Sequence, residues 1–199
     1  MKKILILLLV VIAIFALYKT FNRESKNSKE ETKRIKNHSK ELKKLICSNN
    51  KYNKDIAFLI DMRIPSGKKR FFVYDLKQNK IIDKGLVAHG SGSETTIKGK
   101  LKFSNKPNSL STSLGTYYVG KYYYGKFGKA YKLYGLDETN NNAFKRDIVF
   151  HYYYDVPYKE KDGYICNSYG CPMVNKKYFE RTSKIIDASP TNILLSIYY

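Results

Sequence analysis

From residue 55 onwards the chain consists of short apolar runs rich in β-branched and aromatic residues, and this pattern restricts the fold more than any other feature. DIAFLIDM (55–62), RFFVYDL (70–76) and KIIDKGLVAHG (80–90) are separated by the segments PSGKK and KQNK. β-branched and aromatic residues favour strands, whereas Pro, Gly and Asn between them favour turns. We therefore expect an antiparallel meander with one face packed and the other solvated.

The segments that follow extend this prediction to a whole domain. Residues 91–115 are rich in Ser, Gly, Asn and Thr and predict a long loop, whereas IVFHYYY (148–154) and NILLSIYY (192–199) predict strands. NKKYFERTSKIID predicts a short helix with Asn175 as its N-cap. One face of that helix carries Tyr178, Phe179, Thr182, Ile185 and Ile186. The expected fold over residues 55–199 is mainly β, a β-sandwich or mixed sheet with short helices.

The first 54 residues differ in character from this domain. Residues 1–3 are Met-Lys-Lys, and the apolar run over 4–18 has a length between that of a signal-peptide core and a membrane span. No clear cleavage pattern follows, which favours an uncleaved signal anchor or transmembrane segment over residues 1–19, with a cleaved signal as the alternative. Residues 20–54 are charged, lack Gly and Pro, and carry a thin apolar stripe, so we expect a helical stalk.

The charge of the chain points to a polyanionic surrounding. There are 37 Lys and Arg residues against 17 Asp and Glu residues, a formal net charge of +20. Nucleic acid, anionic lipid headgroups and acidic cell-wall polymers would all attract such a chain. An apolar leader that exports the domain argues against nucleic acid.

A histidine at the end of an apolar strand and a cysteine in a turn are the candidate reactive groups. His151 ends IVFH, and Cys171 lies in NSYGCP. Gly170 lets the backbone turn tightly and expose the thiol, and amides of the Tyr169–Gly170–Cys171 turn can face a developing oxyanion. A free cysteine is a thiolate only to a few per cent at neutral pH, so it needs a base or an ion pair. We predict Cys171 as the nucleophile and His151 as its general base, the two forming a thiolate–imidazolium pair.

These residues also resemble a known family. RDIVFH followed by S-x-G-C-P resembles the catalytic core of the L,D-transpeptidases, the cysteine enzymes that cross-link bacterial peptidoglycan. VAHGSGS, FSN, SLGTYYVG, YKLYGLD and NNNAFKRDIVFH resemble, in that order, the murein L,D-transpeptidase catalytic-domain subgroup. The resemblance extends from about residue 55 to the C-terminus.

The resemblance implies a two-step acyl transfer that needs no cofactor. The thiolate expels the terminal D-alanine of a tetrapeptide stem, and the side-chain amine of a second stem resolves the thioester acyl-enzyme into a cross-link. If water resolves the thioester, the enzyme is an L,D-carboxypeptidase. A non-catalytic, basic cell-wall-binding protein is the alternative from another class. The implied partner is the peptidoglycan stem peptide, and the implied location is the bacterial cell envelope, outside the cytoplasm. We expect a monomer that contacts the membrane through its N-terminal segment.

The resemblance also gives roles to residues around the nucleophile. Ser168 matches the serine of the motif, which helps to hold the site together. His89 matches a histidine that binds substrate or fixes a loop, and Arg146 matches an arginine that binds a substrate carboxylate or forms a structural ion pair. Tyr169 would contact substrate. A backbone carbonyl near the cysteine turn would orient His151.

Nearby carboxylates and cysteines offer alternatives to these roles. Asp155 and Asp162 are candidates for a third catalytic residue in place of a carbonyl. Cys166 could join Cys171 and His151 as metal ligands, but the spacing is not a strong zinc pattern, and we predict no metal. A disulfide between Cys47 and Cys166 is an option outside the cytoplasm.

Two departures from the family pattern concern the substrate groove. Tyr152, followed by Tyr153 and Tyr154, stands where many relatives have a glycine after the base. Tyr169 stands where the familiar S-H-G-C form has a histidine. Both departures leave the reactive groups intact and change the expected shape of the groove.

Overall fold

The computed structural model describes the backbone of residues 2–199 and the side chains of residues 12–199 except 16, 20 and 23. The chain divides into two compact units, Met1–Asn37 and His38–Tyr199. Helix α1 (Lys2–Cys47) forms the first unit and continues into the second. The predicted membrane segment over residues 1–19 has most of its side chains outside the described residues. Among the residues that are described, no helix has both the length and the apolar character needed to cross a membrane.

The last turns of α1 belong to the second unit. Leu42 and Ile46 are buried, and Nζ of Lys43 donates a hydrogen bond to Oδ1 of Asn79 at 2.7 Å. The ring of His38 stacks on that of Tyr198, with 3.9 Å between the ring centroids. Within this unit, the end of the helix is therefore fixed by apolar, polar and aromatic contacts together.

The second unit is built on one eight-stranded sheet. Its strands are β1 (Tyr52–Asp61), β2 (Phe71–Asp75), β3 (Lys80–Gly85), β4 (Gly115–Gly125), β5 (Gly128–Gly135), β6 (Val149–Tyr152), β7 (Met173–Val174) and β8 (Asn192–Tyr198). Their order is β3-β2-β1-β8-β4-β5-β6-β7. The pairs β1–β8 and β6–β7 are parallel, and the other pairs are antiparallel. The prediction of a mainly β, mixed sheet is confirmed.

Local features of the sequence account for several of these elements. The first three strands form the expected antiparallel meander. Residues 91–115 contain only a short 3₁₀ helix (Ser91–Ser93) before β4 begins. Helix α2 (Lys176–Ala188) follows Asn175, whose Oδ1 accepts the backbone N–H of Tyr178 at 3.0 Å, as expected for an N-cap. The last strand, β8, lies between β1 and β4 near the middle of the sheet.

Helix α2 supports the strand that carries His151. Tyr178 and Phe179 of α2 are buried in the main core, and the ring of Phe179 lies 5.2 Å from Phe150 and 5.7 Å from Tyr152. Because side chains alternate along a strand, Val149 and His151 point to the opposite face of the sheet. The core therefore holds β6 from one side and leaves its other side for the site.

Candidate active site

The turn that carries Cys171 can be formed only with glycine at position 170. Gly170 has φ +121°, and a Cβ there would lie 2.9 Å from both Cδ1 of Ile148 and the carbonyl oxygen of Ser111. The hydroxyl of Ser168 closes the turn by accepting the N–H of Gly170 at 3.0 Å. The turn is thus fixed by backbone geometry and by one buried hydroxyl.

The same turn is attached to the chain around His89. The N–H of Ser168 donates to the carbonyl of His89 at 2.9 Å, and the N–H of Ser91 donates to the carbonyl of Ser168 at 2.8 Å. These bonds form a parallel bridge between Gly90 and Ser168. The segment VAHGSGS therefore supports the cysteine turn through its backbone.

The thiol of Cys171 lies against the start of β6. Its Sγ accepts the N–H of Val149 at 3.4 Å and donates to the carbonyl of Asp147 at 3.6 Å. In the parallel pair of β6 and β7, His151 stands opposite Met173. Continuing this register by two residues places Cys171 beside Val149, two residues before His151. Two residues of strand correspond to about 7 Å, so thiol and imidazole belong to one site.

One backbone hydrogen bond determines the tautomer of His151. Nδ1 of His151 lies 2.9 Å from the carbonyl oxygen of Tyr152. A carbonyl can only accept, so Nδ1 carries the proton and Nε2 of the neutral ring has a free lone pair. The orienting carbonyl thus comes from the residue after the base, not from the cysteine turn. Within the described part of the chain, no direct hydrogen bond joins His151 to Cys171.

The surroundings favour a neutral resting pair instead of the expected ion pair. His151 is only 4% exposed. This burial lowers its pKa, and the hydrogen bond to Tyr152 offsets part of the effect. Burial raises the pKa of Cys171, against the opposing effects of the Val149 amide, Arg146 and Lys132. Both directions disfavour the charged forms, which is the opposite of what the expected thiolate–imidazolium pair requires.

Lys132 and Asp147 form an ion pair beside the thiol that the sequence analysis missed. Lys132 on β5 stands opposite Val149, and its Nζ lies 3.0 Å from Oδ1 of Asp147. Asp147 has φ +53°, which is uncommon for a residue with a side chain and often marks a functional site. Only the strand pairing shows that Lys132 is near Cys171, so no local sequence signal could have identified it.

Arg146 fastens the long loop to the site. Its Nη1 donates to the carbonyl of Ser104 at 3.0 Å and to Oγ of Ser113 at 3.2 Å, and its Nη2 donates to Oγ of Ser109 at 3.3 Å and to the carbonyl of Ser111 at 2.5 Å. Burial lowers its pKa. These acceptors are uncharged, so the structure places Arg146 in a network with the loop instead of the structural ion pair considered from sequence.

His89 is fully buried behind the turn. Its Nδ1 lies 3.0 Å from Nη2 of Arg70, which can only donate, so Nε2 carries the proton. Nε2 lies 3.6 Å from Oε1 of Glu94. The same oxygen accepts a hydrogen bond from Nδ2 of Asn167 at 2.9 Å. Burial and the charge of Arg70 lower the pKa of His89 to about 4. This position fits the loop-fixing alternative better than contact with a substrate.

Tyr169 is the most exposed residue of the turn, at 77%. It borders a cleft of about 210 Å³. The cleft is also lined by Pro107, Asn108, Leu110, Lys145, Arg146 and Asp147. A larger cleft of about 780 Å³ lies between β4, β5 and the end of α2. Neither cleft is lined by Cys171 or His151 themselves, but only the smaller one is lined by residues of the cysteine turn and of the segment before β6. The smaller cleft, which adjoins the cysteine turn, is the better candidate for a substrate groove.

The remaining alternatives receive no support from the geometry. Cys47, Cys166 and Cys171, all within the described residues, carry free thiols, so Cys47 and Cys166 are not joined. Asp162 pairs with Lys68 at 3.1 Å, and no bond from Asp155 to His151 is found among the described residues. In the same part of the chain, no group of three His, Cys, Asp or Glu side chains is arranged to hold a metal.

A buried imidazole with a free Nε2 lone pair and a thiol on a glycine turn are groups that a cysteine nucleophile and its general base require. A sequence profile of the L,D-transpeptidase catalytic domain matches residues 26–198. The chain therefore belongs to the L,D-transpeptidase catalytic-domain family, as the sequence resemblance predicts. No curated protein sequence matches the chain.

Several solved structures are similar to this one. The L,D-transpeptidase from Xylanimonas cellulosilytica is 14% identical, with a TM-score of 0.39, and the match covers 73% of this chain and 61% of that one. The helical cell shape determining protein Pgp2 from Campylobacter jejuni is 15% identical, with a TM-score of 0.42 and coverages of 72% and 47%. The Ldtfm–avibactam carbamoyl enzyme is 10% identical, with a TM-score of 0.45 and coverages of 74% and 50%. The matched region thus spans about half to three fifths of these chains.

Proposed function

We propose that this protein is a cysteine-dependent L,D-transpeptidase that cross-links the stem peptides of peptidoglycan. The main supporting observation is the hydrogen bond from Nδ1 of His151 to the carbonyl of Tyr152. It leaves Nε2 able to take a proton, on the face of the sheet where Cys171 offers one. The family membership supplies the substrate class.

In the first step, Cys171 is acylated by the donor stem. As Sγ attacks the amide carbonyl of the diamino acid, the S–H proton passes to Nε2 of His151. The C–N bond to the terminal D-alanine then breaks, and the imidazolium returns the proton to the leaving amine. A thioester remains on Cys171. Catalytic hydrogen bonds commonly tighten only in the complex with substrate, so substrate binding has to bring Nε2 and Sγ together.

Two backbone amides of the turn are available to stabilise the oxyanion. The N–H of Gly170 is occupied by Oγ of Ser168. The N–H groups of Tyr169 and Cys171 have no protein acceptor among the described residues. These two amides are therefore the proposed oxyanion donors, whereas Ser168 and Gly170 set their direction.

In the second step, the amine of an acceptor stem attacks the thioester carbon and Cys171 leaves as the thiol. His151 accepts the proton of the attacking amine and returns it to sulfur. Water in place of the amine would give an L,D-carboxypeptidase with the same residues. The two outcomes differ in what enters the groove beside Tyr169, so they are separated by products and not by catalytic residues.

Mass analysis of muropeptides tests the proposal. The full chain, purified in mild detergent, is incubated with peptidoglycan that contains tetrapeptide stems, with Cys171→Ala as the control. New cross-linked dimers that lack one D-alanine, formed only by the wild type, are the expected result. Tripeptide stems without dimers would establish the carboxypeptidase instead. Unchanged muropeptides, with the peptidoglycan still bound, would favour a wall-binding protein.

We also propose that the domain works outside the cytoplasm as a monomer held at the membrane by residues 1–19. The apolar run over residues 4–18 and the net charge of +20 support this location. Membrane fractions that release the chain with detergent but not with salt are the expected result. A soluble chain that begins after residue 19 would show a cleaved signal.

A further inference from the structure

The hairpin between β4 and β5 carries an exposed aromatic residue that the reaction described above does not use. β4 ends at Gly125 and β5 begins at Gly128, and these two glycines are paired. Only Lys126 and Phe127 lie between them. Gly128 has φ +81°, a conformation that glycine adopts readily and that permits so tight a turn. Phe127 remains 44% exposed, although a phenylalanine at a hairpin tip gains little from facing water.

The ring of Phe127 lies flat on the imidazole of His151. The two ring centroids are 5.2 Å apart, and the planes differ by only 19°. This contact covers one face of the proposed base from outside the sheet. It contributes to the burial of His151, which is only 4% exposed although it lies on the face away from α2.

Tyr153 holds Phe127 from the side. Its ring meets Phe127 edge-on, with 5.7 Å between the centroids and 89° between the planes, a favoured aromatic geometry. The backbone of Tyr153 is fixed by its N–H bond to the carbonyl of Val174 at 2.9 Å. Tyr153 is the second residue of the tyrosine run that follows His151. Its ring and its fixed backbone together support Phe127.

We propose that Phe127, held by Tyr153, is a positioning residue that keeps the imidazole of His151 in one plane and shields it from water. This inference rests on the proposed function, because it assumes that His151 is the base. The Tyr152 carbonyl fixes the ring at a single atom, Nδ1. The stack adds a planar surface, which restricts rotation of the ring about that bond and so holds the direction of Nε2.

Uncharged residues flank His151 within the sheet. Ala130 of β5 and Met173 of β7, its neighbours across the sheet, carry no charge. Nζ of Lys126 at the hairpin tip lies 5.7 Å from the centroid of the Phe127 ring, a distance suited to a cation–π interaction. Among the described residues, the other titratable groups near this part of the sheet are the thiols of Cys171 and Cys166, the hydroxyl of Tyr153, and the Lys132–Asp147 ion pair beside Cys171. Cys166 and Tyr153 pack with Met173 in one small cluster. No carboxylate among the described residues is paired with the ring, and burial is the main cause of its lowered pKa.

The test compares the full-length wild type with three variants. Phe127→Ala removes the ring, Phe127→Tyr retains it, and Tyr124→Ala removes an exposed aromatic residue of the same hairpin that lies away from His151. The His151 ring signals, assigned with a His151→Gln variant, are titrated by NMR. In parallel, the rate of covalent modification of Cys171 by a carbapenem is followed by mass spectrometry between mildly acidic and alkaline pH.

We expect Phe127→Ala to raise the pKa of His151 towards its ordinary value. The acid limb of the plot of acylation rate against pH should shift to higher pH by the same amount. A rise of one unit lowers the neutral fraction about tenfold on the acid side, so the rate loss should be largest there and small at alkaline pH. Phe127→Tyr and Tyr124→Ala should behave as the wild type. A purely structural role for Phe127 would lower the melting temperature without moving either profile.

The inference and the proposed function fail in different ways. Phe127→Ala with an unchanged His151 titration would overturn the positioning role, and so would an equal shift in Tyr124→Ala. A shifted titration in a protein whose wild type forms no carbapenem adduct would leave the aromatic contact standing and overturn the proposed chemistry.

Discussion

The carbonyl oxygen of Tyr152 lies 2.9 Å from Nδ1 of His151, so the residue directly after the base fixes the tautomer of the base. Because the contact is made by backbone, the side chain at position 152 is free to vary. A tyrosine at this position therefore keeps the orienting group. This carbonyl also makes a third, carboxylate member of the site unnecessary.

Asp155→Asn should therefore leave the acylation rate within about threefold of the wild type. General acid–base catalysis is worth about 10²–10⁴-fold, and His151 provides it without a hydrogen bond to this carboxylate. The rate of adduct formation with a carbapenem is the measurement, and Asp162→Asn serves as a matched control. A loss of a hundredfold in either variant would identify a carboxylate that acts on His151.

Gly170→Ala should abolish acylation and destabilise the turn. The added Cβ would lie 2.9 Å from Ile148 Cδ1 and from the Ser111 carbonyl, in a backbone with φ +121°. We expect a loss of about 1–3 kcal/mol in the free energy of unfolding. Gly163→Ala is the control, since it has φ +78° and nothing within 4 Å of the added atom. Equal effects of the two changes on acylation would show that the turn tolerates the clash.

Arg146→Lys should loosen the loop over residues 104–113, because a lysine cannot make the four hydrogen bonds of the guanidinium. We expect the free energy of unfolding, measured by denaturant titration, to fall by about 2 kcal/mol. Acylation should also become slower. Arg181→Lys, which weakens an exposed ion pair with Asp83, should cost less than about 1 kcal/mol. If acylation keeps its rate while substrate affinity falls, Arg146 binds substrate and the loop interpretation is wrong.

His89 should make the protein sensitive to acid. Its pKa is lowered from 6.5 to about 4 in the folded chain, so protons bind the unfolded chain more tightly. The contribution of neutral His89 to the free energy of unfolding is complete above its pKa in the unfolded chain, 6.5. It is lost as the pH falls towards about 4, its pKa in the folded chain. A shift of this size corresponds to about 3 kcal/mol. His89→Gln, followed by chemical unfolding at several pH values, should remove this part of the pH dependence. A variant with the same dependence as the wild type would place the acid-sensitive group elsewhere.

Local signals in the sequence identified the elements that depend on near neighbours. The meander, the loop over residues 91–115 and the Asn175 cap follow from strand-forming runs, turn residues and a capping side chain. The position of β8 between β1 and β4 depends on contacts between distant segments, which no local pattern encodes. His151 and Cys171 were predicted from their own local motifs, whereas Lys132 and Phe127 come near them only through strand pairing and a hairpin turn. The role of His89 depends on its contact with Arg70, which lies just before β2 and 19 residues earlier in the chain, so the sequence alone left that role open.

The central claim is that His151 acts as a general base for Cys171 from a neutral resting pair. The most direct test is the pH dependence of carbapenem acylation, followed by mass spectrometry on the intact chain for the wild type, His151→Ala, Cys171→Ala and Cys47→Ser. Burial lowers the pKa of His151 and so keeps the imidazole neutral at lower pH than an ordinary histidine. The wild-type rate should therefore stay high into mildly acidic solution.

In His151→Ala, acylation should fall by about 10²–10⁴-fold and should then follow deprotonation of the thiol alone, at alkaline pH. Cys171→Ala should form no adduct, and Cys47→Ser should react as the wild type. An unchanged rate and pH profile in His151→Ala would contradict the account, because the histidine would then be structural and the thiol would be activated by other groups.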